Sequence, residues 1–296
     1  MIIIYNLFIL ARPKQWLKNI FVFAALIFAV KFFDLSAILK TILGFIAFCL
    51  TSSSIYIIND ICDKEKDRLH PQKKNRPLAA DKISVNQALI FSIVLLIIGL
   101  IIGYLVSPTT KYFLYSLLFY FAITCAYSFY LKNFVILDVI IIAIGFVIRA
   151  IAGAFIINVE ISNWLLLCSF LLALLIGFGK RRNELITLGE NANSHRKNLK
   201  EYTTTITDYF ILIISSAAII AYSLYCMSER TRQQFHTDNL KYTIPFVVYG
   251  ILRYIYIIIY NNEGGEPENL LLKDKGLLIN FLLWTISIIL IIALYR

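Results

Sequence analysis

The sequence predicts an all-α, polytopic membrane protein, and two observations carry this prediction. Of its 296 residues, 59% are hydrophobic and only 16% are charged, with a mean hydropathy of +0.76, which is outside the range of ordinary soluble domains. The chain also contains nine apolar stretches close to the 20 residues that a membrane-spanning helix needs. They lie at residues 17–33, 37–58, 84–106, 112–130, 134–157, 162–179, 206–226, 242–260 and 277–295. We therefore expect one transmembrane domain over residues 1–296.

The chain begins with a short apolar run whose basic residues follow it. This order does not match a secretory signal peptide, so residues 2–11 are predicted to form a short interfacial helix. The five cysteines show no paired ligand spacing, and we assign them neither a metal nor a disulfide.

The distribution of basic residues predicts the orientation. If the N-terminus is cytoplasmic, 19 of the 28 Lys and Arg residues fall on the cytoplasmic side, as the positive-inside rule favours. The predicted cytoplasmic loops are residues 59–83, 130–133, 180–205 and 261–276. The net charge of +10 is therefore attributed to the basic loops that orient the protein in the membrane, and not to nucleic-acid binding. These features predict a multi-pass protein of a bacterial plasma membrane.

The stretch "NDICDKEKD" at 59–67 follows the second apolar run directly. On a continuous helix, Asp60, Asp63 and Asp67 share one face with Asn59 beside them. Carboxylates that converge in this way favour a cation, and an oxygen-only set suits Mg²⁺ with phosphate as a further ligand. A solvated helix end with mixed charge is the alternative interpretation of the same residues.

Basic and polar residues near the other predicted loops are candidates for binding a phosphorylated substrate. A positive-inside membrane anchor explains several of them equally well. The candidates are Lys14, Lys18, Lys73, Arg76, Tyr127, Lys132, Arg149, Lys180, Arg181 and Glu184.

Two arginines lie inside predicted spans, where a charge costs about 2.5 to 3.5 kcal/mol on insertion scales. Arg253 in "ILRYIY" is interpreted as structurally paired, and Arg149 in "GFVIRAIAGAF" as a residue lining the site.

The pattern Asn-Asp-x-x-Asp-x-x-x-Asp at 59–67 resembles the signature of the UbiA superfamily of intramembrane prenyltransferases. This resemblance implies nine helices around a central cavity. Members typically carry a second aspartate-rich motif, where this chain has "GFGKRRNEL" at 177–185. A Lys-Arg pair binds phosphate directly, so the difference favours a substrate with an additional phosphate group.

Several separate stretches, including "RPKQWLKN", "IRAIAGA", "GKRRNEL" and "KNLKEYT", resemble the branch of this superfamily that modifies decaprenyl phosphate. The resemblance implies Mg²⁺-dependent transfer of 5-phosphoribose from phosphoribosyl diphosphate to a polyprenyl phosphate, with release of diphosphate. The product would be a lipid-linked precursor of arabinofuranose donors. It also implies that the three aspartates hold Mg²⁺, that Asn59 orients a ligand, and that Lys180 and Arg181 bind phosphate. Polyprenyl chain length and oligomeric state stay open.

Two alternatives remain at this point. One is a conventional prenyltransferase that moves a prenyl chain from its diphosphate to an aromatic or other acceptor. The other is a transporter or structural membrane protein whose loop charges only set topology.

Overall fold

The computed structural model describes residues 2–69, 73–107, 109–160, 162–188, 197–262, 264–265, 270–271 and 273–295. Throughout these residues the chain forms helices and loops and no strand, so the predicted all-α fold class is confirmed. Eight of the helices are long and apolar enough to cross a membrane. Parts of three predicted loops, at 70–72, 189–196 and 266–269, lie outside the described residues.

The chain divides into two compact units. Unit 1 comprises residues 1–132 and 145–161, and unit 2 comprises 133–144 and 162–296. One long helix contributes residues to both units. The single domain over 1–296 stays a prediction.

Unit 1 is organised around its longest helix. Its elements are α1 (Ile2–Leu10), a 3₁₀ helix (Pro13–Phe23), α2 (Ala24–Phe28), α3 (Leu35–Cys62), α4 (Lys64–Leu69), α5 (Val85–Val106), α6 (Tyr112–Phe129) and the second half of α7 (Leu137–Ile157). Asp34 caps α3 by accepting from the Ser36 and Ala37 amides at 2.9 and 3.1 Å. Ser84 and Gln87 form a capping box that starts α5. Helix α3 packs mainly against α5 and the 3₁₀ helix.

Helix α5 shows how these helices divide between protein and lipid. Its buried positions include Ala88, Ser92, Gly99 and Gly103, which are all small. Large apolar side chains such as Ile90, Ile97, Ile101 and Leu105 are exposed on the other face. Small residues let helix backbones approach closely, while lipid accepts the large ones. The helix is therefore built for a membrane, with its bulk facing outward.

At the first predicted span, residues 17–33, the structure differs from the predicted membrane-spanning helix. The structure has the 3₁₀ helix from Pro13 to Phe23, followed by only five residues of α2. A 3₁₀ helix rises about 2.0 Å per residue, against about 1.5 Å for an α-helix. The two segments together therefore extend roughly 30 Å, close to the thickness of a bilayer core. The segment at the first predicted span is therefore helical, but its helices comprise fewer residues than the hydropathy pattern indicated.

The 3₁₀ helix also arranges its side chains in columns, because residues three apart eclipse each other. Asn19 and Val22 are buried, and Trp16 on the same column donates to Ser53 at 3.0 Å. The neighbouring column of Lys14, Leu17 and Ile20 is exposed. The backbone of Val22 lies so close to α7 that a Cβ on Gly153 would sit 2.1 Å from its carbonyl oxygen. This close approach explains the glycine of the "IAGA" stretch.

Unit 2 contains the first half of α7, α8 (Asn163–Leu188), α9 (Thr204–Met227), α10 (Glu229–Phe235), α11 (Ile244–Tyr260) and α12 (Lys275–Leu294). Helix α8 packs mainly against α9, and α11 packs against both α9 and α12. Thr203 and Asp274 cap α9 and α12 through the amides of Ile206 and Leu277. These packed pairs carry the polar residues of unit 2.

Candidate functional site

The acidic stretch of unit 1 lies where α3 ends. The prediction of one continuous helix through Asp67 is wrong, because α3 ends at Cys62 and α4 begins at Lys64. Asp63 between them has φ −95° and ψ 8°, outside regular helix geometry. The break separates the three carboxylates into two groups with different basic partners.

Asp60 and Asp67 form the first group. Asp60 is 2% exposed and Asp67 is 4% exposed. Nη1 of Arg76 lies 3.0 Å from Asp60 Oδ1 and 2.5 Å from Asp67 Oδ2, so one nitrogen bridges both carboxylates. Arg12 also donates to Asp60 Oδ1. The two buried carboxylates therefore share Arg76, and Asp60 also pairs with Arg12, and both arginines are partly exposed.

Asp63 forms the second group with Lys132, whose Nζ lies 3.2 and 3.3 Å from the two carboxylate oxygens. Lys132 comes from the short loop after α6, which the sequence predicted to carry a substrate-binding base. The structure brings it to the acidic stretch across 69 positions of sequence. The acidic cluster, as we call Asp60, Asp63 and Asp67, is thus matched by three bases from three other segments.

Local geometry explains how Arg12 reaches the acidic cluster. Arg12 has φ 53°, in the left-handed region that few non-glycine residues adopt, immediately before Pro13. Ser53 donates to the Ala11 carbonyl at 2.7 Å, which fixes the junction of α1 and the 3₁₀ helix on α3. The Arg12 guanidinium then lies 5.4 Å from the centroid of the Tyr56 ring. Ser53, which precedes the acidic stretch on α3, therefore holds a closely packed neighbouring segment.

The predicted convergence of three carboxylates on one metal is not what the structure shows. Across the described part of the chain, no group of three or more His, Cys, Asp or Glu side chains is arranged to hold a metal ion. The donor chemistry nevertheless fits Mg²⁺, because two carboxylates approach one shared cation, and Mg²⁺ typically takes one or two protein carboxylates. Asn59 is half-buried beside them, and among the described residues its side chain makes no hydrogen bond.

Other predicted residues of unit 1 lie at different depths. Lys14 and Lys73 are exposed, whereas Lys18 and Tyr127 are half-buried. Their roles stay predictions. Trp16 donates to Ser53 and so has a structural partner.

Arg149 is buried among neutral groups. Its guanidinium donates to Asn19 Oδ1, the Gly145 carbonyl and the Tyr120 hydroxyl, each at 2.7 Å. It also lies 4.5 Å from the centroid of the Tyr120 ring. Asn19 continues the network to Ser52 at 3.3 Å. This network joins the 3₁₀ helix, α3, α6 and α7 inside unit 1.

In unit 2, the motif that replaces a second aspartate cluster is centred on Arg181, which is 1% exposed. Its Nε donates to Asp138 Oδ2 at 2.6 Å, and its Nη1 donates to Glu184 Oε2 at 2.5 Å. Asp138 is fully buried, while the Glu184 side chain is 26% exposed. Arg181 is therefore fixed between two carboxylates, and of these only Glu184 is accessible to solvent.

Tyr202 completes this cluster. Its hydroxyl donates to Asp138 Oδ1 at 2.8 Å and accepts from the Ile136 amide at 2.6 Å. Burial, together with the Asp138 carboxylate beside it, raises the pKa of the Tyr202 hydroxyl, so it stays a neutral donor. Tyr202 belongs to the "KNLKEYT" stretch that carried part of the family resemblance. The structure gives that stretch a role that spacing did not reveal.

The neighbouring residues of the motif anchor it. Arg182 donates to Asp208 at 2.6 Å and to the Ile258 carbonyl at 2.8 Å, and Asn183 donates to the Asn262 carbonyl. A Cβ on Gly264 would lie 2.8 Å from the Gly179 carbonyl oxygen, so this glycine allows the loop after α11 to pack on the motif. The prediction that Arg253 is structurally paired is also met, because its Nη2 lies 2.9 Å from Asp274.

Sequence reasoning missed the contributions of Arg12, Asn19, Tyr120 and Tyr202. Each reaches its partner across a long sequence separation, from 29 positions for Tyr120 to 130 for Asn19. Only membership in the quoted stretches "RPKQWLKN" and "KNLKEYT" could have drawn attention to three of them. Nothing in the sequence marks Tyr120.

Known proteins resemble this chain along nearly its whole length. The UbiA prenyltransferase family matches residues 19–264. The chain is 35% identical over 286 residues to a decaprenyl-phosphate phosphoribosyltransferase of Mycolicibacterium smegmatis, covering 92% of this chain and 88% of the relative. It is 32% identical over 285 residues to the Corynebacterium glutamicum protein of the same name, covering 94% and 84%.

Solved structures agree at the level of the fold. A UbiA homologue from Archaeoglobus fulgidus bound to GPP and Mg²⁺ superposes with a TM-score of 0.72 at 20% identity, covering 96% of this chain and 99% of that one. At this identity the likeness establishes the fold alone.

Proposed function

The chain belongs to the UbiA prenyltransferase family, and from this premise we propose that it transfers 5-phosphoribose from phosphoribosyl diphosphate to a polyprenyl phosphate. One observation carries the proposal. The acidic cluster of this chain offers only oxygen atoms as metal ligands, and partly exposed bases lie beside it. The relatives that match nearly the whole chain are named decaprenyl-phosphate phosphoribosyltransferases. The product would be a lipid-linked phosphoribose that serves as a precursor of arabinofuranose donors.

The acidic cluster is assigned to the diphosphate of the donor. Asp60 and Asp67 would hold Mg²⁺, with Asp63 as a further ligand and Asn59 orienting a water or a phosphate oxygen. Bound there, the ion would neutralise charge on the diphosphate that leaves the anomeric carbon. The homologue from Archaeoglobus fulgidus was solved with Mg²⁺ and a prenyl diphosphate, which supports the use of a divalent ion by this fold.

The bases of unit 1 are assigned to the phosphates themselves. Arg76 and Lys132 already lie within 3.3 Å of the carboxylates, so they are placed to donate to diphosphate oxygens in the same cluster. Arginine and lysine suit this task because charge-assisted hydrogen bonds to phosphate are strong. Lys73 and Tyr127 are assigned to the donor in the same way.

The acceptor needs no general base, because a lipid phosphate is already ionised at neutral pH. Its phosphate oxygen must instead be oriented toward the anomeric carbon and screened from the negative donor. Lys14 and Lys18 of the 3₁₀ helix are the candidate bases for this role.

In unit 2, we assign different roles to the two members of the Lys-Arg pair that was predicted to bind phosphate. Arg181 is held by Asp138 and Glu184, so we assign it to positioning Glu184. Glu184 is then the group that accepts a hydrogen bond from a ribose hydroxyl. Lys180 keeps the predicted role of binding a phosphate.

The direct test supplies purified protein in lipid nanodiscs with Mg²⁺, a polyprenyl phosphate and phosphoribosyl diphosphate labelled in the ribose. We expect label in the lipid extract, no label after chelation of Mg²⁺, and release of diphosphate in equal amount. Prenyl diphosphate is offered in parallel with an aromatic acceptor, because the solved homologues were bound to GPP and DMAPP. Consumption of prenyl diphosphate without any labelled lipid would establish a conventional prenyltransferase instead.

The proposal places the protein in a bacterial plasma membrane as a multi-pass protein, with the N-terminus and the acidic cluster cytoplasmic. A cysteine-accessibility assay on intact cells tests this orientation. A reporter cysteine replacing exposed Lys73 should react only after the membrane is permeabilised, and labelling of intact cells would contradict the orientation.

A further inference from the structure

One arginine of unit 1 differs from the other buried arginines. Arg149, Arg181 and Arg182 are all less than 9% exposed. Arg181 contacts Asp138 and Arg182 contacts Asp208. Within the described residues, Arg149 makes no ion pair, and its three hydrogen bonds go to an amide, a carbonyl and a hydroxyl. It is therefore a buried charge without a counter-charge.

Burial does not remove this charge. Arginine keeps its proton in proteins, so the guanidinium stays positive even when only 3% of the residue is exposed. Neutral acceptors compensate a buried charge only partly, and arginines inside membrane spans usually face a partner or a cavity. A ligand with a negative charge would supply the missing counter-charge.

A second cation lies near the same place. Lys18 directly precedes Asn19, whose Oδ1 accepts a hydrogen bond from Arg149 Nε at 2.7 Å, so Lys18 is one residue away from the Arg149 network. Lys18 is half-buried, so it is the more accessible of the two. The pair marks a position inside the spans where a negative group is favoured.

We propose that Arg149, Lys18 and Tyr120 form a phosphate-binding subsite within the membrane-spanning part of unit 1. Lys18 contacts the phosphate, and Arg149 supplies a fixed positive charge and the two N–H groups that its three hydrogen bonds leave over. Phosphate fits because arginine forks match its oxygens. The inference rests on the proposed function only in that both proposed substrates carry a phosphate group.

The subsite is separate from the acidic cluster. Asn19 joins Arg149 to Ser52, and Ser52 precedes Asp60 by eight residues on the same helix. Eight residues of α-helix rise about 12 Å. A diphosphate held by Asp60 therefore leaves the subsite to another phosphate. That group is either the 5-phosphate of the donor or the phosphate of the lipid acceptor.

Two binding measurements without turnover distinguish these sources. The lipid arm compares farnesyl phosphate with farnesol, which has the same tail and no phosphate, on wild type and Arg149→Gln in nanodiscs. The donor arm measures phosphoribosyl diphosphate with Mg²⁺ on the same proteins. In one of the two arms, Arg149→Gln should lower the phosphate-dependent affinity about tenfold or more, and Arg149→Lys, which keeps the charge but loses the planar fork, should restore only part of it.

The control is Arg253→Gln, which removes another arginine from a span, one that Asp274 already pairs. It should leave both affinities unchanged. If Arg149→Gln does not fold, Lys18→Gln carries the test, because it changes a half-buried side chain and should weaken the same arm. Folded variants that bind both ligands like wild type would overturn the subsite.

The subsite and the proposed function can fail separately. Arg149-dependent binding of a phosphate without any ribose transfer would retain the subsite and remove the function. Ribose transfer together with phosphate binding that does not depend on Arg149 or Lys18 would retain the function and remove the subsite.

Discussion

The acidic cluster of unit 1 and the Arg181 cluster of unit 2, which consists of Arg181, Asp138, Glu184 and Tyr202, have charges of opposite sign at their centres. In unit 1, the buried Asp60 and Asp67 and the partly exposed Asp63 hold bases whose side chains are 17 to 27% exposed. In unit 2, a buried guanidinium is held by a fully buried aspartate and a half-buried glutamate. The bases of unit 1 can be hydrated or redirected when a ligand arrives, whereas Arg181 cannot leave Asp138 without stranding a buried charge. The comparison indicates a cluster built to exchange partners and a cluster built to stay fixed.

The largest expected effect is on activity in unit 1. Asp60→Asn keeps the shape of the side chain and removes its charge, so it should lower the rate of ribose transfer by about 100-fold or more. The melting temperature should change little, because Arg12 and Arg76 are partly exposed. Asp81→Asn is the matched control, since Asp81 is a surface aspartate of the following loop paired with Lys64 and Arg68. Equal rates in both variants would remove the distinction between the clusters.

The second effect is on stability in unit 2. Asp138→Asn leaves Arg181 buried beside a single carboxylate, which should cost about 3 to 5 kcal/mol in the free energy of unfolding. Thermal unfolding in detergent measures the loss. Glu184→Gln removes the partly exposed partner and should cost no more than about 1 kcal/mol. A stable Asp138→Asn protein would show that the Arg181 cluster is not the fixed one.

The third effect tests the rigid part of unit 1. Gly153→Ala places a Cβ 2.1 Å from the Val22 carbonyl oxygen, and such overpacking should cost about 1 to 3 kcal/mol. Gly145→Ala on the same helix meets its nearest side-chain atom at 3.4 Å, an ordinary contact, and serves as the control. Equal melting temperatures for the two variants would mean that the 3₁₀ helix moves away from α7 easily.

The smallest effect concerns pH. The hydrogen bond from Arg253 and the Leu277 amide hold the pKa of Asp274 below its usual range. The stabilisation is therefore fully present above about pH 4 and is lost as the pH falls through the lowered value. Asp274→Asn should remove this pH-dependent stabilisation, which amounts to less than about 1 kcal/mol in the free energy of unfolding. The difference in melting temperature between pH 6 and pH 3 should therefore become slightly smaller. An unchanged difference would show that this pair is solvated.

Hydropathy and local spacing predicted the class of fold and the acidic stretch, because both depend on residues close together in sequence. Seven spans follow the predicted stretches within about four residues at each end, whereas α8 continues to Leu188, well past the end predicted at 179. The first does not, since hydropathy carries no information about 3₁₀ geometry. The spacing of Asp60, Asp63 and Asp67 predicted a shared face, but it could not show the helix break at Asp63 or the bases that meet each carboxylate.

The same limit applies to the cations. Their chemistry marked Arg149 and Arg181 as notable, and burial confirms that both are unusual positions. Their partners come from other helices, and only the folded chain shows that one has carboxylates and the other has none among the described residues. Residue type identified the groups, and tertiary contacts decided what each one can do.

The column of Trp16, Asn19 and Val22 also restricts how this segment can change in length. Each residue of a 3₁₀ helix turns the chain by about 120°. Inserting one residue between Trp16 and Lys18 would therefore bring Lys18 into the buried column in place of Asn19. An ammonium group would then face the Arg149 guanidinium where an amide oxygen now accepts its hydrogen bond. Insertions or deletions in this segment are compatible with the fold only in steps of three.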